Sequence, residues 1–219
     1  MEEVSETKIY NEIKQAILQR RLRPNTQLVE DVLAESFGVS RTIIRQALRK
    51  LSYEKIVTII PNKGAFVACP NAEAAKQIFA VREMLETGST RLLCQTVTEG
   101  QISQIASIIE EEQKAFLARS KFNSLQLSLE FHLKIAEFTG NSYLYRYLEE
   151  LASLVYVIVT FYGAEDLFCG SDEHSKILEA IKLRDDELAV KLTIKHFRKF
   201  DSMVFDNGTY PLQEIFRKE

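Results

Sequence analysis

The chain has 219 residues, 46% of them hydrophobic and 27% charged, with a formal net charge of −3. That is enough apolar mass for one large or two modest domains. No apolar run approaches the ~18 residues of a membrane span, and the N-terminus is acidic where a secretion signal would be basic. Cys69, Cys94 and Cys169 are odd in number and far apart, which argues against a disulfide framework and fits reduced thiols in the cytoplasm. The charge is uneven: residues 8–63 hold eleven Lys/Arg against five Asp/Glu, and residues 70–219 hold seventeen against twenty-three. A basic head on an acidic body suggests that only the head meets phosphate.

Residues 1–7 are polar and expected to fray. Ile9, Ile13 and Ile17 recur every four residues and predict a first helix ending near Arg20-Arg21. After a turn at Arg23-Pro24, Leu28, Val32, Leu33 and Phe37 predict a short helix with an apolar stripe. Gly38-Val39 closes it, and Ser40 is a suitable N-cap for the next. On that helix Arg41, Thr42, Arg45 and Arg49 share one arc, while Ile44, Ala47, Leu48 and Leu51 share the adjoining one. The pair reads as a helix-turn-helix. Beyond it, Ile56 to Ile60 and Ala65 to Ala68 flank Pro61-Asn62-Lys63-Gly64, a hairpin with a basic, glycine-bearing tip. A charged helical stripe is most often a solvated face. Here the cap, the turn and the tip agree on a winged helix that binds duplex DNA, read from the first turn of its second helix.

Residues 8–68 resemble the DNA-binding domain of the GntR family of bacterial transcription regulators. The signature runs Leu28-x-Glu30-x-x-Leu33-Ala34, Gly38-Val39-Ser40-Arg41-Thr42, Arg45-x-Ala47-Leu48-x-x-Leu51 and Lys63-Gly64-Ala65-Phe66-Val67. The resemblance implies that Arg41 and Arg45 meet base edges, Ser40 and Thr42 phosphates, and Lys63-Gly64 the minor groove, with Arg49 on the same face. Asp31 stands where the family usually has a phosphate-contacting arginine, and Ile43 where proline is common. The first departure implies one backbone contact fewer.

Cys69-Pro70-Asn71 reads as a linker, so the expected domains are 1–69 and 70–219. The second part has helical periodicity and little strand signal. Its expected helices span about 72–96, a run from the Thr98-x-x-Gln101 capping box to 119, 124–139 ending at Gly140, and 142–162 capped by Asn141. Two more are expected at about 171–184 and, capped by Asp185, up to 206. Short connections imply an antiparallel bundle, so the fold class is mainly α with a small β-hairpin wing. Residues 209–219 take no assignment.

The three histidines of the chain all fall in this bundle. His174 and His196 lie eleven residues to either side of Asp185, so a helical hairpin turning there brings both rings to one height. His132 shares the stripe of Leu125, Leu129 and Ala136. Two readings stand side by side on spacing alone: separate, satisfied polar residues, or a facial set of imidazoles for a divalent transition metal.

Residues 72–205 resemble the all-helical FCD effector-binding domain of the FadR subfamily of GntR regulators. The residues that carry this are Arg82-Glu83-Met84-Leu85-Glu86, Phe131-His132, Gly140-Asn141, Glu173-His174 and Lys195-His196. Metal-binding members of that family place an aspartate four residues before the first histidine; here the position holds Ser128. The resemblance implies His132, His174 and His196 as metal ligands, with zinc the first choice and nickel, manganese or iron open. It implies Ser128 as at most a holder of a metal-bound water, and a small organic acid bound with help from Arg82, Ser128 and Asn141. Arg82 reads equally well as an ion-pair partner of Glu86 at i+4.

Together these readings give a ligand-responsive regulator, a homodimer on a two-fold operator, with repression the expected sign. One alternative is a metal-free regulator whose histidines touch the effector directly. The other is a zinc hydrolase, which the sequence disfavours because no general base, nucleophile motif or phosphate loop accompanies the histidines.

Overall fold

A computed structural model of the chain describes residues 5–162 and 171–205. Cys169 and the unassigned segment 209–219 lie outside that range. The chain forms two compact units, divided between Asn71 and Ala72.

The first unit runs α1 (Glu6–Leu18), β1 (Gln27–Leu28), α2 (Glu30–Phe37), α3 (Arg41–Tyr53), β2 (Val57–Ile60) and β3 (Gly64–Val67). Its interior is built where the periodicity places it: Ile9, Ile13 and Ile17 of α1 against Ile44, Leu48 and Leu51 of α3, closed by Ile56, Val57 and Val67. At ~1.5–3 kcal/mol for each fully buried aliphatic side chain, this small core holds α3 by one face.

Two details differ from the sequence reading. Leu28 belongs not to a helix but to a two-residue strand, paired antiparallel with β3 in the register Gln27↔Phe66 and Leu28↔Ala65. The sheet order is therefore β1-β3-β2. Without Leu28, α2 has no fully buried residue, and Val32, expected on its apolar stripe, is 59% exposed. The first helix also stops at Leu18, because Arg20 adopts a left-handed conformation with φ 59°.

The second unit is helical among its described residues: α4 (Ala72–Thr96), α5 (Glu99–Leu117), α6 (Lys121–Phe138), α7 (Ser142–Tyr162), α8 (Ser171–Lys182) and α9 (Asp186–Phe205). The caps explain the boundaries. Thr98 and Gln101 form a reciprocal capping box, with Gln101 N donating to Thr98 Oγ1 at 3.3 Å and Thr98 N to Gln101 Oε1 at 2.9 Å. Gly140, at φ 73°, takes the left-handed position after α6. Asn141 Oδ1 accepts from Leu144 N at 3.1 Å, and Asp185 Oδ1 from Leu188 N at 3.0 Å. One change is at the start of α6, which begins at Lys121, three residues earlier than expected.

Helix α4 packs against α6, α7, α8 and α9, while α5 packs on α6 and α8. Arg184, in the α8–α9 turn, donates to the carbonyls of Cys94, Gln95 and Val97 at 2.7–3.1 Å. The first two are last-turn carbonyls of α4, which have no partner within their own helix, and Val97 follows directly after it. The hairpin carrying two histidines is thereby pinned to the end of α4. No helix among the described residues is long and apolar enough to cross a membrane.

Candidate DNA interface and candidate metal centre

Helix α3 divides as its periodicity predicts. Ile44, Ala47, Leu48 and Leu51 are buried, and Arg41, Thr42, Arg45 and Arg49 are exposed on the other side. Ser40 holds the N-cap position, with φ −74° and ψ 152°, but its hydroxyl makes no capping bond. Its oxygen is therefore not committed to the helix it precedes. At the wing tip Lys63 and Gly64 are exposed. Gln27 Nε2 donates to Lys63 O at 2.9 Å, so β1 steadies the tip. Gly64 has φ 102°, a conformation that disfavours a side chain.

Both leading arginines are already paired. Arg45 makes a two-pronged contact with Glu30, Nε to Oε1 at 3.1 Å and Nη2 to Oε2 at 2.7 Å. Arg45 holds the Glu30 carboxyl below its ordinary range. Arg41 pairs with Asp31 through Nε. Two anions at the start of α2 thus hold two cations at the start of α3, all on the surface.

In the bundle, α6, α8 and α9 bring His132, His174 and His196 together. All three are buried, and their ligand atoms lie within 4.8 Å of one another. Ring centroids are 4.9–5.1 Å apart. The equal-height argument for His174 and His196 holds, and Phe131 stacks on His174 with centroids 4.1 Å apart.

Each imidazole is backed by a carboxylate at Nδ1: Glu86 of α4 on His132, Glu112 of α5 on His174 at 2.6 Å, and Glu173 of α8 on His196 at 3.0 Å. Arg82 in turn pairs with Glu86, and its guanidinium lies 4.8 Å from the Phe197 ring centroid. Burial sets the charges. It pushes the Glu112 carboxyl up to about 8 and the His174 imidazole down to about 3. It also lowers His132 and His196, and it raises Glu86 although Arg82 opposes the rise. Neutral imidazoles are the metal-binding form.

The residues fit a divalent transition metal. In an equilateral triangle of 4.8 Å edge, the centre is about 2.8 Å from each corner, against a metal–nitrogen bond of ~2.0–2.1 Å. Sub-ångström movement of each ring closes the set. His132 Nε2 is buried with no hydrogen-bond partner, a place for a water or a metal ion to bind. A carboxylate on each Nδ1 leaves Nε2 as the donor, as in many metal sites.

A profile described as "FCD domain" matches residues 77–199, and one described as "Bacterial regulatory proteins, gntR family" matches residues 6–67. The chain belongs to the GntR family of transcription regulators, with an FCD domain. The family binds DNA, and its members are regulators rather than enzymes. The chain is 27% identical over 191 residues to the "Uncharacterized HTH-type transcriptional regulator YdhC" of Bacillus subtilis, covering 86% of this chain and 85% of that one. It is 24% identical over 202 residues to the "Gluconate operon transcriptional repressor" of Bacillus licheniformis, covering 89% and 83%. Among solved structures, McbR/YncC of E. coli shares the fold with a TM-score of 0.77 at 19% identity, covering 95% of this chain and 100% of that one.

For this GntR regulator the other expected effector residues fall in different places. Ser128 is buried one helical turn before His132, on the same face of α6. Arg82 is buried one carboxylate away from His132. The ion pair with Glu86 is real, and it sits at the site. Asn141 is exposed and occupied as the N-cap of α7. Roughly 9 Å of helix separate His132 from the end of α6, and Asn141 lies beyond that end, so the structure does not bring it to the histidines.

The sequence reading missed Glu112 and the backing roles of Glu86 and Glu173. Glu112 did leave a signal. It falls at i+7 from Ile105 and i+4 from Ile108, on the apolar stripe of α5, where a carboxylate has no reason to be unless it meets a partner.

Proposed function

We propose that this GntR regulator is a homodimeric repressor that works in the cytoplasm and whose operator affinity is set by a small carboxylate sensed at a metal-dependent site in the bundle. The observation that carries the sensing half is the buried triad of imidazoles, each with its Nδ1 on a carboxylate and ligand atoms within 4.8 Å. His132, His174 and His196 hold the ion, zinc before nickel, manganese or iron. When bound, the ion supplies a positive, Lewis-acidic anchor for an anionic ligand. Ser128 faces the same interior and holds a water or an effector oxygen. Arg82 offers the effector a guanidinium by loosening its bond to Glu86.

On the DNA side, Arg41 and Arg45 exchange Asp31 and Glu30 for base edges, Ser40, Thr42 and Arg49 line the phosphates, and Lys63-Gly64 enters the minor groove. The gluconate operon repressor, whose name pairs repression with an organic acid, supports the sign of regulation and the class of effector. An effector changes operator affinity only as far as it binds one arrangement of the dimer better than another.

Native mass spectrometry of the untagged protein tests the whole reading at once. The expected species is a dimer with one divalent metal per subunit, which falls to the metal-free mass when His174 is replaced by alanine. A metal-free dimer that binds a small acid directly transfers the sensing role to the imidazoles themselves. A metal-free monomer that binds no small acid refutes the proposal.

A further inference from the structure

Three carboxylates approach three imidazoles in the same way, yet they come from different places. Glu173 precedes His174 on α8 and reaches across to His196. Glu86 comes from α4, and Glu112 from α5, two helices that contribute no imidazole. Glu112 is the least expected of them. It is 0% exposed, lies among Ile105, Ile108 and Ile109, and one of its two oxygens, Oε1, has no hydrogen-bond partner.

A carboxylate so placed is a poor choice for folding alone, since burying a half-satisfied polar group opposes stability. What it accomplishes is orientation. Its Oε2 lies 2.6 Å from His174 Nδ1, while Phe131 covers the face of the same ring. Both contacts favour the ring orientation that keeps Nδ1 on Glu112 and turns Nε2 to the other side. Outer carboxylates of this kind also raise the basicity of a metal-bound imidazole.

We propose that Glu112 is a positioning residue of the metal centre, fixing His174 with Nε2 toward the ion. This rests on the reading of the three histidines as a metal site.

The test uses the full-length, untagged protein stripped of metal and titrated with zinc chloride against a chromophoric chelator, alongside thermal melts of the stripped protein. Glu112→Gln keeps size and shape. It is expected to weaken zinc binding by roughly 10- to 100-fold, while the metal-free protein melts within about 3 °C of wild type. Glu112→Leu is expected to weaken zinc at least as much, and Glu110→Gln, on the exposed side of α5, to leave zinc affinity unchanged. Zinc affinity of Glu112→Gln equal to wild type overturns the proposal and leaves the metal reading intact. A metal-free Glu112→Gln protein that melts many degrees lower, or does not fold, assigns Glu112 to the fold and also overturns it. Failure of wild type itself to bind zinc, nickel, manganese or iron removes the metal reading and this proposal with it.

Discussion

Replacing Asp31 by asparagine should strengthen DNA binding, and the structure sets how much. Asp31 pairs with Arg41 across the start of α2 and α3, with side chains 56% and 66% exposed. An exposed ion pair is worth ~0.2–1 kcal/mol. Any anion that takes Arg41 must first displace that carboxylate. Freeing the guanidinium therefore raises DNA affinity roughly 1.4- to 5-fold, since 1.4 kcal/mol is tenfold. The effect should shrink as salt shortens the reach of charge below ~10 Å. Fluorescence anisotropy with a labelled duplex of arbitrary sequence measures the electrostatic part without knowledge of the operator. A cycle of Asp31→Asn, Arg41→Ala and the double variant isolates the pair. The gain should vanish in the Arg41→Ala background. A gain of the same size there, or no gain in either background, would refute the idea that Asp31 acts by occupying Arg41. Melting temperatures serve as a control, because Asp31 also favours the N-terminus of α2 by a few tenths of a kcal/mol.

Arg45→Ala should weaken operator binding by roughly 5- to 150-fold and relax preference at one base position; a selection from random duplexes reads both effects. Zinc at 100 times its dissociation constant should stabilise the stripped protein by about 2.7 kcal/mol. That is roughly 5–10 °C in a melt of a unit this size, reversed by chelator. Ser128→Asp, one turn before His132, should tighten zinc binding in a competition titration, since it adds an anionic donor where a neutral hydroxyl stands; an unchanged constant means that position 128 does not face the ion. Arg82→Ala leaves the buried Glu86 carboxylate without its cation and should cost about 3–5 kcal/mol in urea unfolding. A loss below 1 kcal/mol would show that Arg82 is not a structural partner of Glu86.

Elements with strong local periodicity were legible in the sequence. Helix α3 could be read face by face, because Ile44, Ala47, Leu48 and Leu51 recur at helical spacing and nothing from outside overrides them. The histidine pair could be placed because a helical hairpin is nearly rigid: the turn at Asp185 and the rise per residue fix the height of both rings. Strand β1 could not be read. Two residues carry no period, and Gln27 and Leu28 are extended only because β3, some forty residues later, offers its free edge. The partners of the histidines were hidden for the same reason. Glu86, Glu112 and Glu173 sit on three helices, and which carboxylate meets which ring follows from how the helices pack. Only Glu112 was visible in principle, as a charged residue interrupting an apolar stripe.

The two units place similar groups in opposite surroundings, and the difference accounts for what each can do. Arg45 with Glu30, and Arg41 with Asp31, are exposed pairs. Water solvates the separated partners nearly as well as they solvate each other, so a phosphate or a base edge can displace the carboxylate at low cost. Arg82 with Glu86, and each histidine with its carboxylate, are buried pairs. Separating them strands a charge or a donor in an apolar interior, which is far more expensive. Such pairs hold one arrangement until a ligand offers equivalent contacts in their place. The head can therefore exchange partners along any duplex, whereas anything that enters the bundle must replace the charge and donors it displaces.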